Sequence, residues 1–246
     1  MQIRDTLQQK SRGNSPAWLC RSALAIAALS VIALGTTLNA APRTRATTAR
    51  ARAKAVETAG TAPVKSYGSS AAPITMIVFT DYECPSCRAL YETTLRPMIS
   101  DYVASGKVYL VHHDFPLPQH KYGYEAARWA NAAARVGEFA NVEAALYDNQ
   151  DAWGASGDIA KYVSGAMPGS DFKRVEKLMQ GCSFQDQPGN CPLDASIEAD
   201  RAMGTQIPVR ATPTYVIVYK GRRLPAASGA VSWPILKQFF DSLLTQ

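Results

Sequence analysis

The sequence has little of several things that would mark particular protein classes. Of its 246 residues only 19% are charged, five are Cys and three are His, and neither Gly (16) nor Pro (15) is in excess. This composition excludes a collagen-like chain, a coiled coil and a wholly disordered chain, and five Cys do not make a disulfide scaffold. What the sequence does have is 47% hydrophobic residues, enough for a packed core in one or two domains.

The excess positive charge is confined to the N-terminus. The formal net charge is +6, but residues 1–56 hold nine Lys or Arg and one acidic residue, whereas residues 57–246 hold 17 Lys or Arg and 19 acidic residues. Binding to phosphates requires clustered cations on the folded domain. The near-neutral remainder therefore predicts that nucleic acid is not a partner.

The N-terminal segment has the pattern of a targeting signal. Basic residues precede an apolar stretch at residues 23–34, as in a secretory signal. The uncharged run at residues 22–38 is also close to the minimum length of a membrane span. We therefore predict that residues 1–40 are a signal peptide or a single membrane anchor. Residues 41–63 are predicted to be an Ala/Thr/Arg-rich linker, and residues 64–246 the folded domain.

The folded domain begins with a strand–helix–strand pattern. Residues 74–79 (ITMIVF) form a short apolar run with β-branched residues, which is typical of a strand buried on both faces. A helical pattern follows over residues 88–104, and Pro97 is expected to kink or split that helix. A second strand is predicted at residues 107–112. If the two strands are parallel neighbours, their crossover is expected to be right-handed.

The rest of the domain is mainly helical. Residues 118–205 are Ala-rich and helical in period, with a few polar breaks. A Thr-Pro-Thr sequence at residues 212–214 then leads into a predicted hairpin, with one strand at 215–219 and the last strand at 224–228. An amphipathic helix at residues 233–244 ends the chain. The order of elements predicts an α/β fold interrupted by a block of helices.

The clearest chemistry lies at Cys84 and Cys87, a C-x-x-C motif between the first strand and its helix. A helix N-terminus offers unpaired N–H groups and a partial positive charge, and both stabilise a thiolate on the first Cys. The two-residue spacing brings the second thiol within bonding reach of the first. These features favour redox chemistry. The alternatives are a structural disulfide and a pair of thiolate ligands for Cu(I) or Zn.

Several motifs carry a resemblance to a known family. FTDYECPSC after a strand, together with a Thr-Pro dipeptide before a strand about 125 residues later, resembles the thioredoxin-like superfamily. The helical block, the HHDFPLPQH sequence and the NQDAW sequence resemble its DsbA-like branch of exported thiol–disulfide oxidoreductases. The resemblance implies a thioredoxin-like fold with an inserted helical domain at about residues 118–205.

The resemblance also implies roles for four residues. Cys84 matches the exposed nucleophile that forms a mixed disulfide with the substrate, and Cys87 matches the shielded thiol that resolves it. Pro213 matches the family's cis-proline beside the active site, where the backbone of Thr212 is left to pair with an extended substrate segment. From the residues alone, an ordinary trans-Pro at a strand start is equally compatible with Pro213.

Residues around the motif are expected to tune the pKa of the first thiol. Pro85 and Ser86 form the spacer, and the Ser86 hydroxyl brings a hydrogen-bond donor but no positive charge. Asp81 and Glu83 would oppose thiolate formation if close, whereas Arg88 would favour it. These opposing effects leave the reduction potential open.

The remaining Cys and His are predicted to be structural. Cys182 and Cys191 close a short loop, and in an oxidising compartment we expect a disulfide there that stabilises the fold by about 2–3 kcal/mol on the loop-entropy model. A redox-active second disulfide is the alternative. His112 and His113 are adjacent near a strand end, so their side chains point to opposite faces and do not share one metal ion. His120 is expected to be structural as well.

These observations predict an exported thiol–disulfide oxidoreductase that acts through Cys84 and Cys87, as a dithiol oxidase of Cys-containing exported proteins, with no cofactor and no metal. An isomerase or reductase of the same fold is the alternative within the class. A Cu(I)- or Zn-binding module and a chaperone-like binding protein are the alternatives outside it. The resemblance further implies a quinone-linked membrane partner and a periplasmic or other extracytoplasmic location, secreted or tethered.

Overall fold

The computed structural model describes residues 65–182 and 188–245. The predicted signal or anchor at residues 1–40 and the linker at residues 41–63 lie outside the described residues. Within the two described ranges, no helix is both long and apolar enough to cross a membrane.

A single sheet runs through the centre of the domain. In chain order its strands are β1 (Ser66–Tyr67), β2 (Ile74–Thr80), β3 (Val108–Asp114), β4 (Thr214–Tyr219), β5 (Arg222–Arg223) and β6 (Ala227–Ser228). The spatial order is β1-β3-β2-β4-β5, and β6 also pairs with β4. Strands β2 and β3 are parallel, and the other pairs are antiparallel. The apolar β2 lies in the middle, with the side chains of Ile74, Met76 and Val78 fully buried.

A helical stretch follows β2 and begins at the C-x-x-C motif. It consists of α1 (Pro85–Leu90), a π-helical turn, α2 (Arg96–Met98) and a second π-helical turn that ends at Val103. In the wider turns Arg96 N–H donates to Tyr91 O and Ala104 N–H donates to Ile99 O. The predicted disturbance around Pro97 therefore takes the form of two π-helical turns on either side of it.

In the parts of the insertion between β3 and β4 that the structure describes, there are six helices. They are α3 (Gly123–Val136), α4 (Phe139–Asp148), α5 (Gln150–Ser156), α6 (Ile159–Ser164), α7 (Gly169–Met179) and α8 (Asp194–Gln206). The Ala-rich α3 contacts α4, α7 and α8, because its small side chains let neighbouring helices come close. The final helix α9 (Trp233–Leu244) packs on the other end of the domain, against the π-helical turn after α1. The α/β fold with a helical insertion is thus confirmed.

Two details of the sheet differ from the prediction. The last strand is not continuous over residues 224–228, because Pro225 has no N–H to donate to β4 and the pairing stops there. Leu224 N–H still donates to Ile217 O at 2.9 Å, and pairing resumes where Ser228 faces Thr214. The edge strand β1 was not predicted, because two residues carry no recognisable periodicity.

Candidate active site

The C-x-x-C motif lies at the carboxyl end of the central strand β2. Cys84 is the N-cap residue of α1, and its backbone is extended (φ −77°, ψ 121°). The helix begins at Pro85. Because N–H groups in the first turn have no acceptor within the helix, the missing N–H of Pro85 costs no hydrogen bond there. The N–H groups of Cys87 and Arg88 both donate to Cys84 O, at 3.0 and 3.2 Å. The first turn of the helix therefore fixes the position of both sulfur atoms.

Both active-site sulfurs are largely covered. Cys84 is 7% exposed and Cys87 is 1% exposed, and both are free thiols. The resemblance implies an exposed Cys84, but in the structure Cys84 belongs to the buried core cluster. Cys84 is nevertheless the more accessible of the two residues. Cys87 lies deeper, with its sulfur 3.4 Å from the backbone nitrogen of Asp81, which donates to it.

The two thiols have opposite pKa shifts. A hydrogen bond from the Cys87 thiol is the largest cause that lowers the pKa of Cys84, and contacts with Thr212 and with the N–H groups of Ser86 and Cys87 add to it. Partial burial opposes them, and the pKa of Cys84 falls to about 5. Burial raises the pKa of Cys87 well above its usual value, and the neighbouring Cys84 raises it further. The pair therefore holds one stabilised thiolate and one thiol.

The loop before β4 completes the site. The peptide bond between Thr212 and Pro213 is cis, as the resemblance implies. The sulfur of Cys84 lies 3.4 Å from Thr212 O, which can accept a hydrogen bond from Cys84 only in its protonated form. Because β4 pairs with β2, the sheet holds this loop beside the start of α1.

The charged residues near the motif have other partners. Arg88 forms an ion pair with Asp151 at 2.8 Å. The carboxylate of Glu83 accepts the N–H of Tyr122 at 2.5 Å. Ser86 acts on Cys84 through its backbone N–H. The largest effects on the pKa of Cys84 thus come from thiol and backbone donors, not from the charges that the sequence singled out.

The side chain of Asp81 is buried and fully bonded. Its carboxylate accepts hydrogen bonds from Leu117 N–H at 2.7 Å and Glu83 N–H at 2.9 Å, and lies 2.6 Å from His120 Nδ1. A side chain at Gly123 would place its Cβ 2.5 Å from Asp81 Oδ1, so glycine is required there for steric reasons. Burial raises the pKa of Asp81 in spite of these donors. The contact between His120 and Asp81 connects the turn before the helical insertion to the active-site loop.

One contact of the active-site loop was missed by sequence reasoning. Gln150 in α5 is buried, and its Nε2 donates to Tyr82 O at 2.6 Å and to Cys84 O at 3.0 Å. The helical insertion thereby binds the backbone on both sides of Glu83. The only available signal was the position of Gln150 in NQDAW, one of the sequences on which the family resemblance depends.

A second buried cluster connects β2 and β3 to α4. His112 Nε2 contacts the Thr80 hydroxyl, and its Nδ1 lies 2.7 Å from Glu143 Oε1. Tyr67 donates its hydroxyl proton to Glu143 Oε2. His113 points to the other face of β3, where its Nδ1 lies 2.5 Å from Asp200 and its ring stacks on Phe79. The opposite orientation of the two imidazoles is as predicted.

The other cysteine pair is bonded in the structure. Cys182 and Cys191 form a disulfide across the loop between α7 and α8. Asp194 accepts the N–H of Cys191 at 3.1 Å and pairs with Arg128 inside the helical insertion. The disulfide joins the residue segment that follows α7 to the one that precedes α8. Among the described residues, no group of three or more His, Cys, Asp or Glu side chains could hold a metal ion.

Comparison with known proteins assigns the family. A sequence model described as thioredoxin matches residues 58–228, more than half of the chain. Separately, 85 residues (34% of this chain) are 35% identical to part of the Na(+)/H(+) antiporter NhaA 3 of Salinispora tropica. The chain spans only 12% of the length of that curated relative. This second match therefore concerns a small part of the antiporter and carries no transport activity to this chain.

Solved structures show the same fold. The chain is similar to α-DsbA1 of Wolbachia pipientis (TM-score 0.57, 19% identity, 73% of this chain and 90% of that one). It is also similar to oxidised BdbD of Bacillus subtilis (TM-score 0.57, 16% identity, 75% of this chain and 94% of that one). A thioredoxin-like oxidoreductase of Silicibacter pomeroyi DSS-3 matches with a TM-score of 0.52 at 21% identity, over 75% of this chain and 94% of that one. The chain therefore belongs to the thioredoxin family, and its fold is that of the DsbA-like thiol–disulfide oxidoreductases.

Proposed function

We propose that this protein is a thiol–disulfide oxidoreductase that oxidises dithiols in Cys-containing exported proteins. A substrate thiolate attacks Cys84 Sγ of the disulfide form, the Cys84–Cys87 bond breaks, and Cys87 leaves with the electron pair and takes up a proton. A second thiolate of the substrate then attacks the substrate sulfur of the mixed disulfide and releases Cys84 as a thiolate. The substrate leaves with a disulfide, and the protein is left reduced by two electrons.

The observation that carries this proposal is the stabilised thiolate of Cys84. With a pKa of about 5, Cys84 is almost entirely ionised at pH 7, whereas an ordinary thiol is only about 3% ionised. A thiolate exists only in the reduced protein, so whatever stabilises it favours reduction of the disulfide. The protein is then a better oxidant of its substrates.

The loop at Thr212 and Pro213 supports the proposal that the substrate is a polypeptide. Pro213 has no N–H, and the Thr212 carbonyl lies beside the sulfur of Cys84. An extended substrate segment that pairs with this backbone would bring its own cysteine next to Cys84. The expected substrates are therefore Cys-containing proteins in an extended or unfolded state.

The compartment and the redox partner follow from the same proposal. The signal or anchor pattern of residues 1–40 supports export to the periplasm or another extracytoplasmic space. The Cys182–Cys191 disulfide is of the structural kind that persists in oxidising compartments. An oxidase there must be re-oxidised after each turnover, for which we propose a quinone-linked membrane protein.

The test is the equilibrium reduction potential of the Cys84–Cys87 pair in a glutathione series, with the metal content measured in the same preparation. The variant with Cys182→Ser and Cys191→Ser serves as a control, because its potential must equal that of the wild type if the active-site pair is the one measured. A value near about −120 mV is the expected result. A value near about −270 mV contradicts the oxidase and identifies a reductase. The absence of disulfide exchange, with stoichiometric Cu or Zn bound, would overturn the proposal in favour of a metal-binding module.

A further inference from the structure

Two large apolar side chains are exposed side by side on the last helix. Among the described residues only three such side chains are exposed, and two of them, Ile235 (63%) and Phe239 (39%), belong to α9. They lie four residues apart and therefore share one face of the helix. Together with Leu224 they line an open groove between α9 and the β4–β5 hairpin. Clustered apolar side chains on a surface are typical of a site that binds a protein or a membrane.

Two cations continue this face. Lys220 and Arg222, at the tip of the hairpin, are exposed and line a second groove, which shares Leu224 with the first. Within the described ranges, neither of the two cations forms an ion pair with an acidic side chain. Arg222 and Leu224 lie two residues apart in an extended segment, so both point to the same side of the hairpin. We call Lys220, Arg222, Leu224, Ile235 and Phe239 the α9 face.

The surrounding sequence carries charge of one sign. Residues 201–240 contain six Lys or Arg and no Asp or Glu, whereas residues 57–200 contain 11 Lys or Arg and 18 acidic residues. The nearly neutral total is therefore the sum of two segments of opposite charge. A bilayer with anionic phospholipids is negative over its whole surface and attracts cations at any spacing, whereas an acidic protein is matched by ion pairs at particular positions. A long segment without any acidic residue favours the bilayer.

We propose that the α9 face docks on the surface of a bilayer that contains anionic phospholipids. Ile235 and Phe239 enter the boundary between headgroups and acyl chains, and Lys220 and Arg222 contact the lipid phosphates. Burial of apolar area and attraction to anionic lipids are the two contributions that add in interfacial binding, and this face supplies both. The proposal goes beyond thiol–disulfide exchange and applies equally to an oxidase and to a reductase.

The cations of the α9 face lie away from the active site. At one end of β4, Thr214 pairs with Phe79, close to the C-x-x-C motif. At the other end Tyr219 pairs with Ile74, and the hairpin turn follows. The strand between these ends is about 17–20 Å long, and Cys84 lines neither groove. Docking through the α9 face therefore does not require Cys84 to enter the contact, and its sulfur stays available for exchange.

The experiment places a fluorescent reporter in the proposed contact. The full chain with Phe239→Trp is mixed with phosphatidylcholine vesicles, with or without phosphatidylglycerol, whose acyl chains are brominated and quench Trp on contact. The quenching of the wild-type chain, which has four Trp of its own, is subtracted. An N-terminal anchor would enter both kinds of vesicle alike, so the difference between them reports on the α9 face. We expect the added Trp to be quenched with phosphatidylglycerol at about 0.1 M salt, and not at about 1 M salt or with phosphatidylcholine alone.

Two double variants, each made in the Phe239→Trp chain, test the role of the cations. Lys220→Asn with Arg222→Gln removes both charges from the α9 face, and Asn tolerates the left-handed backbone at Lys220 (φ 48°). One cation near an anionic bilayer is worth about fivefold in binding, so the ratio of docked to undocked protein should fall about 25-fold. Lys173→Gln with Lys177→Gln removes the same charge from exposed positions of α7. There the ratio should fall less than about threefold, because salt screens charges outside the contact.

Three outcomes would overturn the proposal. The first is equal quenching with and without phosphatidylglycerol, or a Lys220/Arg222 variant that docks as well as the Lys173/Lys177 variant. The second is a concentration-dependent dimer, formed without vesicles and abolished by Ile235→Ser, which would assign the α9 face to a second copy of the chain. The third is binding of an acidic peptide to this face with no quenching on vesicles, which would assign it to a protein partner.

A separate measurement keeps docking distinct from the proposed function. The reaction of the reduced protein with glutathione disulfide, followed without vesicles, is expected at the wild-type rate in all variants, because the active site lies outside the contact. Failure of this reaction in the wild type would contradict the proposed function and leave the docking result unchanged. Normal reaction with no docking would overturn the present proposal alone.

Discussion

At the scale of single residues, one hydrogen bond links the pKa values of the two active-site thiols. The Cys87 thiol donates to the Cys84 sulfur, which is the largest cause of the low pKa of Cys84. For Cys87, burial is the largest cause of the raised pKa, and the bond to Cys84 comes second. The low pKa of Cys84 therefore depends on the thiol of Cys87.

This dependence predicts the behaviour of two variants of Cys87. In the reduced wild type, the rate at which iodoacetamide alkylates Cys84 is expected to reach half of its maximum at about pH 5. Cys87→Ala removes the donor and should raise that midpoint by at least one unit toward the ordinary thiol value. Cys87→Ser retains a hydroxyl donor and should raise it less. Midpoints at the wild-type value in both variants would show that the hydrogen bond from Cys87 does not stabilise the thiolate, and Cys84→Ser must show no alkylation at this site.

At the scale of elements, helix α5 holds the active-site loop through Gln150. The amide of Gln150 donates to the carbonyls of Tyr82 and Cys84, and both bonds are buried. The buried carbonyls would otherwise lack these partners, and leaving such groups unpaired costs about 1–3 kcal/mol. The insertion therefore stabilises the conformation of the redox motif as well as covering it.

Replacing Gln150 tests this contact. Gln150→Ala is expected to lower the free energy of unfolding by about 1–3 kcal/mol, measured by urea denaturation of the reduced protein. Asp151→Ala is the control on the same helix, because Asp151 is 85% exposed and its ion pair with Arg88 contributes less than about 1 kcal/mol. If both variants unfold alike, the Gln150 amide does not hold the loop.

The elements that sequence reasoning predicted are those whose signal is local. The run ITMIVF, the C-x-x-C spacing and the periodic helices each occupy consecutive residues, and the structure has a strand or helix at each of them. Contacts between segments that are far apart in the sequence could not be predicted from it. The amide of Gln150 meets a carbonyl 68 positions away, and β1 exists only because Ser66 and Tyr67 pair with β3. The covering of Cys84 is likewise a consequence of tertiary packing.

At the scale of the whole domain, a buried charge network joins the sheet to the insertion. Lys65, just before β1, contacts Asp114 at the end of β3 and lies 2.7 Å from Asp200 in α8. His113 lies 2.5 Å from the same Asp200. Burial lowers the pKa of Lys65, but the two carboxylates outweigh it, and the pKa is raised overall. Three segments far apart in the chain are thus held by one set of charges.

This network predicts how stability depends on pH. Burial acts to raise the pKa of Asp200, but the contacts with His113 and Lys65 prevail and lower it to about 2. In the unfolded chain an Asp has a pKa of about 3.9, so the folded state binds this proton less readily than the unfolded state. The stabilisation is therefore fully present above about pH 4 and is lost as the pH falls toward 2, by up to about 2 kcal/mol.

The measurement is the free energy of unfolding in urea between pH 2 and pH 7. Asp200→Asn is expected to lower the free energy of unfolding at pH 7. Below pH 4 its free energy of unfolding should decline less steeply than in the wild type, because one carboxylate no longer takes up a proton on unfolding. In Asp151→Asn, which replaces an exposed carboxylate, the free energy of unfolding should decline with falling pH as steeply as in the wild type. A decline of unchanged steepness in Asp200→Asn would show that this carboxylate is not stabilised as an anion.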